Sequence, residues 1–448
     1  MTASLPDPRA ARAFRFIGCE YNAGEARLRY AFDDGPELIE RIVFPGAPTL
    51  SGARADAFTR ALTLLHWIAG VSYYKAGAVP ELIIERGAPD ADMLALLRAV
   101  YGEGLAEFAY RNGLCLEQHW TVRPPGSSAA APALDLRPCT LVPIGGGKDS
   151  LVAIEALRTI GAECTAAWVG NSPLIAACAA RTGLPELNIE RTLAPELFAY
   201  NRMGAWNGHV PVTAVNSAIL ACAAILYGHD SIAFANERSA SSATLEYDGQ
   251  QVNHQWSKGW DFERDFAHLV RRTVASDLRY CSLLRPYAEL AITRTFAKLP
   301  QYFEVFSSCN RNFRILGPQP SDRWCGQCPK CHFVFLALAP FLPKPRLLAI
   351  FGRNLLDDDT QSAGFDALLE YRDHKPFECV GEGAEARAAM AALARRPEWR
   401  EDALVARFRS EILAQLDAGA LALEPWLTPQ GAHGVPARLR AALDFLRA

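Results

Sequence analysis

Hydrophobic and polar residues alternate through Ala26–Phe32 and Leu38–Phe44, the period-two pattern of strands with one buried face. Over Arg54–Ala69 the spacing changes to that of an amphipathic helix. Residues 1–122 therefore read as an N-terminal α+β module. Periodicity then disappears: Pro124–Pro138 (PPGSSAAAPALDLRP) is rich in Pro, Ser and Ala and poor in large apolar side chains, so residues 123–138 read as a linker.

Beyond the linker the pattern becomes strand, helix, strand, helix. Cys139–Ile144, Cys164–Val169, Leu187–Leu193 and Ser231–Ala235 are apolar runs of strand length. Lys148–Ile160 and Leu174–Thr182 have helical spacing, and Thr213–Tyr227 is apolar all round, the mark of a core helix. This alternation predicts an α/β fold for residues 139–344, a doubly wound parallel sheet with helices on both faces. From residue 345 to 448, charge-rich segments such as Ala384–Ala394 and Glu401–Leu416 predict a helical C-terminal region, and the acidic run Asp357–Asp359 reads as a solvated helix cap.

Composition adds exclusions. Half of the 448 residues are apolar, which is too many for a disordered chain. Forty-six basic residues against 49 acidic ones leave a net charge of −3, so nothing in the overall charge calls for nucleic acid or an anionic membrane. The first residues lack an apolar core of signal-peptide length. The longest strongly apolar stretches, Ala218–Tyr227 and Phe333–Leu342, fall short of the ~20 residues that a membrane-spanning helix needs. The expectation is a cytoplasmic protein acting on a small molecule, with no membrane and no nucleic-acid partner. Of its 12 cysteines, eight are scattered singly and four gather late in the chain.

Leu141–Ser150 reads LVPIGGGKDS: an apolar strand, three glycines, then a helix. Gly145, Gly146 and Gly147 let the backbone turn tightly and aim successive N–H groups at one point, which the positive end of the new helix also faces, so the turn suits an anion. Lys148 adds a mobile positive charge, Ser150 a hydroxyl and Asp149 a carboxylate for Mg²⁺. Two familiar phosphate loops do not fit. A Walker-type loop needs Ser or Thr where Asp149 stands and Gly where Val142 stands, and the dinucleotide fingerprint needs Gly where Ser150 stands.

A second constellation is Cys325-Gly326-Gln327-Cys328-Pro329-Lys330-Cys331, with Cys309 sixteen positions upstream. A C-x-x-C turn points two sulfurs at one centre, and a fourth thiol from a separate segment closes a tetrahedron. Four thiolates suit a structural Zn²⁺, and an Fe–S cluster takes the same ligand number. His332 is a substitute ligand.

The GGGKDS turn resembles the S-G-G-x-D-S loop of the PP-loop ATP pyrophosphatases at every position but the first, where Gly145 replaces Ser. That resemblance implies a HUP-like sheet, a loop holding the pyrophosphate end of ATP, and cleavage between the α- and β-phosphates. Followed by C…CGxCxxC, it is also similar to the 7-cyano-7-deazaguanine synthase branch, whose four Cys bind zinc. That likeness is confined to Leu141–Val334. A narrower likeness spans nearly the whole chain. PIGGGKDS, HVPVTAVNS (His209–Ser217), FANERSAS (Phe234–Ser241), VNHQWSKGWDFE (Val252–Glu263) and SSCN…WCGQCPKC resemble the MurL-type epimerases of peptidoglycan precursors. The resemblance implies dependence on ATP and Mg²⁺, release of AMP and diphosphate, and inversion of a terminal L-glutamate.

Ligands of open parallel sheets sit beyond the carboxyl ends of strands, which places Asn236, Glu237 and Arg238 near the nucleotide. His209, His254 and Lys258 lie in polar loops and are acid/base candidates, and each suits a structural role equally well. Two other readings stay open at this point: a different PP-loop adenylating enzyme, amidating or tRNA-modifying, and a non-catalytic nucleotide-binding protein.

Overall fold

A computed structural model describes residues 5–122, 130–313, 320 and 322–447. Twelve strands are present among them: β1 (Ala13–Asn22), β2 (Glu25–Phe32), β3 (Leu38–Val43), β4 (Glu81–Ile84), β5 (His119–Thr121), β6 (Arg137–Pro143), β7 (Glu163–Val169), β8 (Glu186–Thr192), β9 (His229–Phe234), β10 (Leu245–Tyr247), β11 (Gln250–Val252) and β12 (Arg279–Ser282). The predicted strands and helices of the central stretch all form, displaced by one or two residues at their ends.

Ten of these strands make one sheet in the order β12-β9-β6-β7-β8-β3-β2-β1-β4-β5. From β12 to β8 every pairing is parallel. Renumbered from β6, this half runs 3-2-1-4-5, the order in which the chain reverses direction across the sheet beside its first strand. The crossovers are helical: Lys148–Thr159, Pro173–Thr182, Val212–Tyr227 and Trp260–Thr273. Adjacent residues of one strand enter opposite cores, Leu141 and Ala167 on one face, Val142 and Ala166 on the other. Helices therefore cover both faces, and the architecture is α/β with a large, mostly parallel sheet.

The sheet does not stop at the predicted linker. β3 pairs antiparallel with β8, Ile42 opposite Arg191, so the N-terminal strands continue the central sheet. A buried ion pair crosses that seam: Arg191 Nε donates to Glu40 Oε1 at 2.7 Å and Nη2 to Glu40 Oε2 at 3.2 Å. Such a fork on a carboxylate fixes both distance and angle. Helix Gly52–Ala69 shares its core with Val212–Tyr227. Of residues 123–138, the first seven lie outside the described residues. Within the rest, Leu134 and Leu136 donate backbone N–H groups to Asp277, and Arg137 and Pro138 already belong to β6.

The C-terminal region contains the predicted helix, Gly383–Ala394, but Glu401–Leu416 is not one regular helix. It runs as Ala403–Arg407, a wider turn over Phe408–Ile412 and a tight one over Leu413–Gln415. Its apolar residues (Leu404, Phe408, Ile412) join the same core as Val142 and Leu151. Asp358 does cap a short turn, accepting from the Thr360 N–H at 3.1 Å. No helix among the described residues is long and apolar enough to cross a membrane.

Candidate active site

The glycine turn leaves the carboxyl end of β6, and Asn236-Glu237-Arg238 leaves that of the adjacent β9. Both therefore flank the crevice where chain direction reverses, the usual ligand position of such sheets. Gly146 has φ +81°, a left-handed conformation that costs any residue with a Cβ. A Cβ on Gly147 would come within 2.8 Å of Ser308 Oγ, whereas one on Gly145 meets nothing within 4 Å among the described residues. Among the described residues, then, nothing fills the space in front of the first glycine. Gly147 caps helix Lys148–Thr159 without a side-chain hydrogen bond, so the helix presents its first N–H groups to that space.

Lys148 is not the mobile charge the sequence suggested. Its side chain is 2% exposed, and Nζ is held by Asp149 Oδ1 at 2.5 Å and by Glu289 Oε2. Burial opposes its charge, but the two carboxylates outweigh that and raise its pKa. Glu289 is pushed up to about 7, by burial first, with Asp149 and Glu237 adding repulsion. Asp149 moves the other way, its burial overcome by Lys148. Ser150 turns back on the loop, Oγ donating to the Gly147 carbonyl at 3.3 Å.

Next to this centre lies a relay that joins the two ends of the chain. Glu107, from helix Ala106–Asn112, accepts a hydrogen bond from His254 Nδ1 at 2.5 Å. His254 is hydrogen-bonded in turn to the Cys379 thiol, to which Lys258 Nζ donates at 3.2 Å. Burial lowers the His254 pKa, but Cys379 and Glu107 reverse this and hold it at about 9. Burial likewise raises Cys379, and Lys258, His254 and Lys330 more than cancel it, leaving the thiol well below the ordinary range. Lys258 stays charged because Cys379, Asp149 and Glu237 outweigh its burial. His209, its ring centroid 4.4 Å from that of His254 and tilted against it, is pushed down to about 4 by burial and by its charged neighbour. One histidine is a cation and the other neutral, a division suited to giving and taking protons.

Glu107, His209 and His254 lie close enough together to suggest a metal site, their ligand atoms within 4.8 Å. Two ligands on one tetrahedral ion at ~2.0 Å would stand about 3.3 Å apart. The 2.5 Å separation of Nδ1 and Oε2 is instead that of a hydrogen bond, while His209 Nδ1 stands 3.8 Å from the same oxygen.

The four predicted thiols do meet. Cys325 and Cys331 Sγ atoms are 3.7 Å apart, Cys328 and Cys331 3.5 Å, and Cys328 and Cys309 4.0 Å. One tetrahedral ion with Zn–S bonds of ~2.3 Å sets its sulfurs about 3.8 Å apart. The four sulfurs therefore fit a single structural metal ion, whereas a multi-iron cluster divides its four thiolates among two or four irons and spreads the set farther. His332 does not group with the four sulfurs: its Nε2 is bonded to Gln361 Oε1 at 2.8 Å, and its ring stacks on Phe365.

The remaining predicted residues are spread around the crevice. Glu237 accepts from Ser239 Oγ at 2.7 Å and caps the turn Arg238–Ser241. The Arg238 guanidinium lies 5.7 Å over the Trp426 ring, and its buried Nη1 has no hydrogen-bond partner among the described residues. Asn236 offers its carbonyl to Ser282 Oγ at 2.7 Å. Glu107, Glu289, Lys330 and Cys379 were missed from the sequence, as was Arg285. Buried Arg285 bonds Glu263 at 2.9 Å, the Glu237 carbonyl at 2.6 Å, and the Lys258 carbonyl, tying the two polar loops together. Only Cys379 left a usable signal: it stands in the polar stretch HKPFECVGEG, not in an apolar run where a merely buried thiol belongs.

Such a sheet, with buried acids, bases and a thiol at its switch point, defines an α/β enzyme whose site draws on both ends of the chain. Comparison with known proteins names it more closely. The family model described as MurL N-terminal domain matches residues 6–283, and the MurL C-terminal domain matches residues 305–422. A UDP-N-acetyl-alpha-D-muramoyl-L-alanyl-L-glutamate epimerase of Xanthomonas oryzae pv. oryzae is 60% identical over 439 residues, covering 97% of each chain. Enzymes with the same name from a Micromonospora species and from Salinispora tropica are each 41% identical, covering 98% and 97% of this chain and 100% and 96% of their own. The chain belongs to the MurL family.

Proposed function

We propose that this protein is an ATP-dependent epimerase that converts the terminal L-glutamate of UDP-N-acetylmuramoyl-L-alanyl-L-glutamate to D-glutamate, releasing AMP and diphosphate. The substrate follows from the near full-length likeness to enzymes of that name. One observation carries the chemistry: a PP-loop-like glycine turn and a set of acids and bases share one crevice.

An α-proton next to a free carboxylate is hard to remove, because its loss builds a second negative charge on the same group. Adenylation of the α-carboxylate takes that charge away and makes the proton far more acidic, after which positioned groups can move it. In this reading Gly145, Gly146, Gly147, Lys148 and Ser150 hold the phosphates, and Asn236, Glu237 and Arg238 line the nucleotide site. Asp149, 30% exposed at its side chain, would hold Mg²⁺, which offsets phosphate charge. Arg238, with its free Nη1, suits a substrate carboxylate or phosphate. His209, His254 and Lys258 serve the proton transfers, and Cys309, Cys325, Cys328 and Cys331 hold a structural Zn²⁺ behind the loop. The setting is the cytoplasm, where the nucleotide-linked precursor and ATP coexist.

Incubation with ATP, Mg²⁺ and the L-glutamate precursor should yield equimolar AMP and the D-glutamate product, read by chiral analysis of the hydrolysate. Folded protein that converts nothing, with ATP intact, would refute the reading.

A further inference from the structure

Among the titratable groups of the crevice that have no role above, Cys379 is the nucleophile. Cys379 sits in the segment between helices Ser362–Leu368 and Gly383–Ala394, partly exposed. Its Sγ is 3.2 Å from Lys258 Nζ and hydrogen-bonded to His254, whose Nδ1 is fixed by Glu107 at 2.5 Å. Its carbonyl accepts from Lys330 Nζ, and Gln255 Nε2 donates to the next carbonyl, Val380, at 3.4 Å. The segment is thus pinned on both sides of the sulfur.

We propose that Cys379 is a proton-transfer residue of the inversion, its sulfur taking the proton from one face of the glutamate α-carbon. This rests on the reading of an adenylated α-carboxylate given above. The Cα–H bond breaks, the proton forms an S–H bond, and the electron pair moves onto the activated carbonyl as an enolate. A water molecule protonates the opposite face, and the hydroxide left behind recombines with the proton released from sulfur through His254. Charge in the pocket fits the task. Lys258, Lys330 and protonated His254 face the sulfur, Glu378 is the nearest opposing carboxylate in sequence, and Asp149 and Glu237 lie beyond Lys258. Three cations thus stabilise the thiolate, and His254, already charged, takes the proton on sulfur only as it gives its own to the hydroxide. Cys222, deep in helix Val212–Tyr227, is the contrasting case: burial raises its thiol well above the ordinary range.

The test compares wild type with Cys379→Ser and Cys379→Ala in D₂O, measuring AMP, D-glutamate and deuterium at Cα. Expected is loss of Cα deuterium by a hundredfold or more while AMP release continues, so that ATP is consumed without inversion. Deuterium incorporation kept within threefold overturns the proposal. Loss of both AMP and deuterium, in a folded variant whose wild type makes AMP, also overturns it, because the thiol would then serve adenylation. Wild type that inverts glutamate without AMP defeats the ATP reading alone, and the deuterium comparison still judges Cys379. A second readout separates chemistry from packing. Alkylation of wild-type Cys379 by iodoacetamide should be nearly flat from pH 6 to 8, where an ordinary thiol accelerates about tenfold per pH unit. A tenfold rise per unit at this residue would overturn the assignment.

Discussion

Glu107→Gln tests the relay through a residue that touches neither the loop nor the thiol. The wild-type carboxylate accepts from His254 Nδ1 at 2.5 Å and is 5% exposed, so the hydrogen bond is shielded from water. His254 is held at about 9 against 6.5 for a free imidazole, a preference for the cation of roughly 3 kcal/mol. Two partners supply it, Cys379 and Glu107. Glutamine keeps the shape and one acceptor oxygen but removes the charge. A charge-assisted hydrogen bond contributes about 1.5–3 kcal/mol, so about half or more of the preference should disappear and His254 should titrate about one to two pH units lower. The lost contact with Arg111 matters little, since that side chain is 53% exposed. An NMR titration of the His254 ring should show the drop, and epimerisation should fall about two- to tenfold at pH 8 while recovering toward pH 6.5, where the imidazole recharges. An unchanged His254 titration, or an activity loss equal at both pH values, would refute the relay.

Three further outcomes are expected. Metal analysis should give close to one Zn²⁺ per chain, and Cys328→Ser should lower it, destabilising the protein by several kcal/mol in thermal unfolding; metal-free protein of equal stability would count against the site. Gly145→Ser, which restores a hydroxyl into open space, should leave the melting temperature within a degree or two, whereas Gly146→Ala should cost about 1–2 kcal/mol because its φ is +81°. His66→Gln probes a buried neutral histidine, whose Nε2 donates to the Arg29 carbonyl at 3.0 Å and whose pKa burial pushes down to about 4. Its contribution is complete above pH 6.5 and is lost as pH falls toward 4, because only the unfolded imidazole binds the proton there. Denaturant unfolding should therefore show wild type losing up to roughly 3 kcal/mol more than the variant over that interval.

The central half of the fold was legible because buried parallel strands and crossover helices write two different periods into the chain, and the glycine turn marks the junction between them. The four-thiol knot was legible because spacing alone brings three of its members together. Much of the rest was not written locally. Glu107 looks like any helical surface acid, and only the fold turns it onto His254, 147 positions away. Glu289 and Arg285 reveal themselves only through burial beside partners from other segments. Strand pairing between β3 and β8 could not be read either, because each stretch has the composition of an ordinary strand and nothing local states its neighbour. Glu401–Leu416 was read as one helix because its apolar spacing is helical, while the structure widens one turn there to keep Phe408 and Ile412 buried.

Consider what the Glu40–Arg191 fork across β3 and β8 means for anyone trimming this protein. Cutting the chain after residue 122 would strip β8 of its neighbour and strand a guanidinium, 13% exposed in the intact molecule, without its counter-ion. The shortened piece would carry a raw sheet edge, an invitation to pair with its own copies. It would also lack Glu107, so even a fragment that stayed in solution would be missing one end of its proton path.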